Sequence, residues 1–136
     1  MRKILSIVLM LGLAGAGVAY YLWNKPHANM QTAKTDLTIE AAKLFEDFSN
    51  NEEAANAQYL SKTIAVSGTV QSVSKNEEGL VKVTLSTGQD FGVMCELDPL
   101  SKHPRTEFSV GEKVSFKGLC SGLNLEVQLN RCVEIK

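Results

Sequence analysis

Histidine is nearly missing from this chain. His27 and His103 are the only two, and no serine–histidine–aspartate trio can be assembled around either. Cysteine is scarce as well: Cys95, Cys120 and Cys132 contain no C-x-x-C pair, so a zinc site built from them and His103 is not expected. That inventory points to a protein that is not an enzyme and needs no cofactor or metal. An excess of charge of one sign is also lacking. The 136 residues carry 14 basic and 15 acidic side chains, net −1, which gives no sign of a general polyanion binder. No internal repeat occurs, and three prolines are too few for a proline-rich linker. With 44% apolar and 21% charged residues, the composition is that of a globular chain with room for one domain and an appendage.

The appendage is N-terminal. Arg2 and Lys3 precede Ile4 to Trp23, twenty residues in which Ser6 is the only strongly hydrophilic side chain. As a helix this run is about 30 Å long, enough to cross a hydrocarbon core. Tyr20, Tyr21 and Trp23 fall where the far interface would lie, as in an aromatic belt. Small residues at 14–19 also permit a cleaved signal peptide, but the apolar run continues past them into bulky aromatics, which favours an uncleaved anchor. No cysteine lies near the end of the run, so lipid attachment of the lipoprotein type is not supported. The basic N-terminal tail stays cytoplasmic under the positive-inside rule, and the remainder is exported. With Arg2 and Lys3 set aside, 12 basic and 15 acidic residues remain, a formal charge of −3.

Residues 24–37 are polar and lack periodicity, the mark of a linker or short stalk. Residues 38–61 read as a helical lead-in segment. Thr38 is the expected N-cap, Glu40 lies in the first turn, and Leu37, Ala41, Leu44, Phe45 and Phe48 form one apolar stripe. Asn50 with Glu53 then resembles a capping box for a second short helix through Ala55 and Tyr59. So small an amphipathic pair is expected to pack across one end of whatever follows.

From residue 62 the pattern changes to period 2. Lys62 to Lys75 is one long strand in which Ile64, Val66, Gly68 and Val70 share a face. The phase then slips to Val73, as a β-bulge would cause. Asn76 to Gly79 is a turn. Val81, Val83 and Leu85 point inward on a second strand, with Lys82, Thr84 and Ser86 outward. After a turn at Thr87-Gly88, Phe91, Val93 and Cys95 take the inward phase of a third. Glu96 to Gly111 is a longer connection, with Asp98-Pro99 opening at most one helical turn before Pro104. Val114, Phe116, Gly118 and Cys120 lie on a fourth strand. A turn at Ser121 to Asn124 leads to Leu125, Val127 and Leu129 on a fifth, and Arg131 breaks that alternation at a rim or a bulge. Gly68 and Gly118 are expected to allow close backbone approach where the barrel closes.

Five strands with a long connection between the third and fourth predict a five-stranded OB-fold Greek-key barrel at 62–136, mainly β, preceded by two short helices and a transmembrane helix. The motifs V-x-G-x-V at Val66 to Val70, G-x-x-V-x-F-x-G-x-C at Gly111 to Cys120 and L-x-V-x-L-x-x-C at Leu125 to Cys132 resemble a family of bacterial envelope OB-fold proteins. That family is grouped with the tRNA-anticodon-binding type of OB domain. Ala41, Leu44 and Phe48, with Tyr59-Leu60 before Lys62, resemble the same family's lead-in to the barrel. The resemblance spans roughly residues 38–135 and implies nucleic-acid or oligonucleotide binding by analogy.

An OB barrel binds ligands on its second and third strands and flanking loops. The outward candidates there are Lys75, Asn76, Lys82, Thr84, Ser86, Gln89, Ser121 and Asn124. Single-strand binders combine a basic groove with stacking aromatics, and this set holds two lysines and no aromatic. Phe91 and Phe116 fall in the inward phase. Lys102, His103, Arg105, Lys113 and Lys117 form the densest basic group, interrupted by Glu107 and Glu112, and read as solvated surface. A protein or oligosaccharide ligand in the bacterial periplasm is therefore expected ahead of nucleic acid, with the membrane itself contacted through residues 4–23. Three cysteines in an exported chain suggest one disulfide. Because the third and fifth strands of an OB barrel are parallel neighbours, Cys95–Cys132 is favoured, with Cys120–Cys132 as the alternative if a bulge near Arg131 brings them together.

Overall fold

The computed structural model describes residues 1–24 and 29–136. His27, considered above, lies outside the described residues. Helix α1 runs Arg2–Trp23 and is exposed along its described length. It is long and apolar enough to cross a membrane, a property that an anchor and a signal sequence share.

Strand β1 (Leu37–Glu40), helices α2 (Ala41–Asn50) and α3 (Glu52–Tyr59), and strands β2 (Thr63–Lys75), β3 (Val81–Leu85), β4 (Val93–Leu97), β5 (Lys113–Asn124) and β6 (Glu126–Ile135) follow in order. Strands β2 to β6 form a closed five-stranded barrel. Neighbours run β2-β3-β4-β6-β5, the pairing of β2 with β5 seals it, and β4 and β6 lie parallel. Closure depends on two irregularities. The register of β2 against β3 shifts between Val70 and Ser72, where the phase slip was expected. The register of β6 shifts around Arg131 against both neighbours, and Arg131 takes φ 55 to absorb the extra residue. Of the two readings of Arg131, the bulge is the one found. Inside lie Ile64, Val66, Val70, Val83, Leu85, Val93, Cys95, Phe116, Val127 and Leu129, all essentially inaccessible.

Several expectations change. Thr38 caps no helix. Residues 37–40 instead form β1, parallel to β2 from Leu37↔Ile64 to Glu40↔Ser67, and α2 begins only at Ala41 with Glu40 as N-cap residue. Leu37 still packs against the core, but at period 2 with Ile39 instead of as part of the helical stripe. The cap of α3 is Asn51, one residue later than expected. Its Oδ1 accepts from the Ala54 N–H at 3.0 Å, so Glu53 is not its reciprocal partner. The paired helices do lie on the barrel. Ala41, Leu44, Phe45 and Phe48 join the barrel core, with α2 against β1, β2, β4 and β6 and α3 against β5. Gly68 serves this docking: a β-carbon there would meet Cβ of Ala41 at 3.1 Å. Asp47 ties the helices together by accepting from the Tyr59 hydroxyl of α3 at 2.7 Å, and within α2 it accepts from Lys43 Nζ at 2.5 Å. Burial and that hydrogen bond push the Tyr59 phenol up to about 12.

The second half of the expected stalk is not free chain. Met30 is 3% exposed, and Lys117 Nζ donates to the carbonyls of Gln31 at 3.1 Å and Ala33 at 2.8 Å. Lys117 is thus buried, not solvated. Asp36 closes the clamp on β2, donating its N–H to Thr63 O and accepting the Thr63 N–H on its carboxylate.

Candidate ligand-binding face

Cross-strand register places the outward side chains of β3, β4 and β6 on one face. Ser72, Thr84, Met94 and Gln128 form one row across β2, β3, β4 and β6, and Ser74, Lys82 and Glu96 form the next. A β-strand alternates its sides, so these are the residues left over when the core phase is removed. Asn130, two residues after Gln128, donates its side-chain amide to Ser121 Oγ at 2.7 Å and extends the face toward β5. Lys82, Thr84 and Ser121 of the eight candidates are therefore brought together. Met94, Gln128 and Asn130 belong to the same face but were missed, although the outward parity of the third and fifth strands would have found them. Glu96 was missed because it was placed in the connection, whereas β4 runs on to Leu97.

The other candidates scatter. Lys75 is exposed at the end of β2. Asn76 is a turn former, accepting the Leu80 N–H on its side chain at 2.8 Å and bonding the Leu80 carbonyl with its own N–H. Ser86 and Gln89 lie beyond the opposite end of β3. Asn124 is exposed at the tip of the β5–β6 hairpin, whose turn residue is Leu125 at φ 62. The expected turn at 121–124 is strand, and Leu125 is exposed, not inward. Thr84, expected outward, is 9% exposed. Gly92 explains this, since its backbone packs so closely that a β-carbon would clash with the Leu85 carbonyl and meet Thr84 Cγ2 at 2.6 Å. Val73 and Phe91 correct the inward assignment the other way, at 37% and 45% exposed. By Val73 the strand has left β5, its last pairing there being Thr69↔Lys113, and is bonded only to β3, while Phe91 sits in the turn before β4.

The cations of this region are largely committed. Lys82 pairs with Glu96 at 3.3 Å. Arg105 holds Glu112 at 2.5 Å and Glu134 at 2.6 Å and stacks over Phe108 at 4.6 Å. Its pKa is raised, first by the hydrogen bond to Glu134 and then by that to Glu112. The Ser109 N–H, with Arg105, holds the Glu112 carboxyl below its usual range. Lys117 is engaged with main-chain carbonyls. Asp98 is 1% exposed; it accepts from Ser101 Oγ at 2.7 Å and the Leu100 N–H at 3.2 Å, and faces Arg131 at 3.6 Å. Those interactions outweigh its burial and lower its pKa. They close a hydrogen-bonded turn at residues 98–101, so the helical turn expected at Asp98-Pro99 is a plain turn instead.

A separate cleft of about 630 Å³ lies beside the start of α2, lined by Ser67, Thr69, Ser86, Ser115, Lys113 and Glu134 among others. Ser86 is the one sequence candidate it contains. Cys95 and Cys132 lie on the parallel pair β4–β6, with Cys95 opposite Leu129 and Cys132 opposite Leu97. Burial, with the neighbouring Cys95 thiol, pushes the Cys132 thiol well up. All three cysteines are free thiols in this structure, and Cys120 pairs with Leu129 on the other side of β6. Among the described residues no group of three or more metal-ligating side chains comes together.

The closed barrel, its β4–β6 parallel pair and the helices before it define an OB barrel of the tRNA-anticodon-binding-like class. The sequence matches the tRNA_anti-like family over residues 1–133, and the chain belongs to that family. No protein with curated annotation matches it. Among solved structures, it is similar to a crystal structure described as a "putative nucleic acid-binding lipoprotein" from Klebsiella pneumoniae subsp. pneumoniae MGH 78578. That match is 16% identical, with a TM-score of 0.60, and covers 82% of this chain and 100% of the other. At that identity the likeness is one of fold.

Proposed function

We propose that this protein is a non-catalytic OB barrel anchored by α1 in the inner membrane and exposed to the periplasm, where its β3–β4–β6 face binds a protein or an oligosaccharide. One observation carries the choice of ligand: the lysine on the face itself, Lys82, is neutralised within the fold, and of the cations beyond it Arg105 and Lys117 are engaged too, with Lys75 exposed at the edge. Phosphate recognition draws on free lysine and arginine, yet Lys82, Arg105 and Lys117 are each engaged by Glu96, by Glu112 and Glu134, or by carbonyls. What remains outward is neutral and polar, with Met94 as an apolar patch. Side chains of that kind suit backbone amides and sugar hydroxyls.

Phe91 favours a second reading. An aromatic 45% exposed at the rim is the kind of platform on which a base stacks, and the Klebsiella protein's description names nucleic acid. Titration of the full chain in detergent with fluorescent single-stranded RNA and DNA at low salt separates the two. The expected result is no salt-sensitive binding. Binding that weakens with salt and is lost in Phe91→Ala would replace the first reading with the second. A reporter fused after Lys136 tests the topology, with signal expected only outside the cytoplasm.

A further inference from the structure

The span and the barrel are joined by very little chain. Trp23 ends α1, Asn24 follows it, and Asn29 already belongs to the docked segment. Five residue steps reach at most about 18 Å even fully extended. From Met30 onward the chain is fastened to the barrel by the buried Met30 side chain, by Lys117 and by the Asp36–Thr63 clamp. The barrel therefore cannot swing away from the bilayer on a long tether.

One loop is fastened to that docked segment. The Gln31 side-chain amide donates to the Lys102 carbonyl, joining residues 98–103 to the point where the chain leaves the membrane. This loop is itself rigid, pinned by the Asp98 bonds to Leu100 and Ser101 and by His103 Nε2 against the Asp98 carbonyl at 2.7 Å. It presents Leu100 at 66% exposure, two residues before the exposed Lys102, and the exposed Lys34 follows three residues after Gln31 on the docked segment. A loop held by its own hydrogen bonds, with an apolar tip beside a lysine and a second lysine on the segment it is bonded to, matches an interfacial membrane contact, in which the apolar tip enters the headgroup boundary and the cations meet anionic lipid.

We infer that residues 99–103 rest on the same bilayer that α1 enters, with Leu100 in the headgroup–acyl boundary and Lys34 and Lys102 against anionic headgroups. The inference rests on the anchor reading above. It gives the barrel one orientation: the turn before β4, which holds Phe91, lies at the opposite end of that strand from Asp98 and is turned from the membrane.

Trp23 is the only tryptophan in the chain, which makes the test direct. The full chain is reconstituted into phosphatidylcholine–phosphatidylglycerol vesicles containing brominated phosphatidylcholine, a contact quencher of tryptophan. The native protein, a Trp23→Phe/Leu100→Trp variant and a Trp23→Phe/Phe91→Trp variant are compared. Expected are quenching of Trp23, quenching and a blue shift for tryptophan at 100, and neither for tryptophan at 91. Lys34→Glu with Lys102→Glu is expected to weaken quenching at 100 and leave that of Trp23 unchanged. Quenching at 23 without quenching at 100 overturns the orientation and spares the anchor. Equal quenching at 100 and 91 overturns the orientation too, because the barrel then has no preferred face. An unquenched Trp23 removes the anchor and the orientation together.

Discussion

Gly118 lies directly against Cys132: a β-carbon built on Gly118 falls well inside van der Waals contact of Cys132 Sγ, and 3.0 Å from the Asn130 carbonyl. The bulge at Arg131 swings Cys132 into this position, so the glycine and the bulge are two halves of one packing arrangement.

Gly118→Ala is therefore expected to destabilise the barrel by about 1–3 kcal/mol, the usual cost of an overpacked core. Thermal unfolding of the full chain in detergent reads this as a lowered midpoint. Adding Cys132→Ala should recover part of the loss, because the sulfur is then gone. Strictly additive losses would show that the clash lies with the Asn130 backbone instead.

Lys117→Met keeps the stem and removes the donor to Gln31 O and Ala33 O. Leaving part-buried carbonyls without their partner costs about 1–3 kcal/mol. The loss should appear first as local release: faster proteolysis within residues 29–36 while β2 to β6 remain intact. An unchanged cleavage rate there would mean that Met30 and Asp36 hold the segment unaided.

Protein taken from an oxidising compartment is expected to carry Cys95 and Cys132 as a disulfide, each thiol giving up one hydrogen to the compartment's oxidant, with Cys120 reduced. Alkylation under denaturing conditions should then modify one thiol before reduction and three after. Cys95→Ser should leave two thiols reactive without reduction, and Cys120→Ser should leave none. Three reactive thiols in unreduced protein would exclude the bond.

Asp98 has its carboxyl pKa lowered in the fold, where the bonds from Ser101 and Leu100 and the charge of Arg131 prevail over burial. A depressed folded pKa contributes stability that is present above the unfolded value, about 3.9, and is lost as pH falls through the folded one. Asp98→Asn should therefore lower the unfolding midpoint at pH 7 and flatten its further decline below about pH 4. Curves for the two proteins that stay parallel from pH 7 to pH 3 would show that Asp98 contributes nothing through its charge.

Alternation along the chain was enough to identify the core of the barrel, because every inward residue of a strand recurs at period 2. Val81, Val83, Leu85, Val93, Cys95, Phe116, Val127 and Leu129 are all where that period puts them. The bulges were legible for the same reason, since an extra residue shifts the phase at Val73 and Arg131. The candidate face was only partly legible. Thr84 and Lys82 share it by parity, but the pairing of Lys82 with Glu96 requires the register of two strands, which no single strand encodes.

The sequence by itself determined the apolar N-terminal helix, the five barrel strands and the side of each strand that faces the core, since these follow from local hydropathy and backbone geometry. Tertiary structure alone decided what covers the outside. Lys117 has outward parity and a charge, so its burial could not be read from β5. It depends on residues 29–33, more than 80 positions earlier, folding back to offer their carbonyls. Residues 37–40 likewise carry an apolar spacing that suits a helix or a strand, and the neighbouring backbone of β2 made them a strand.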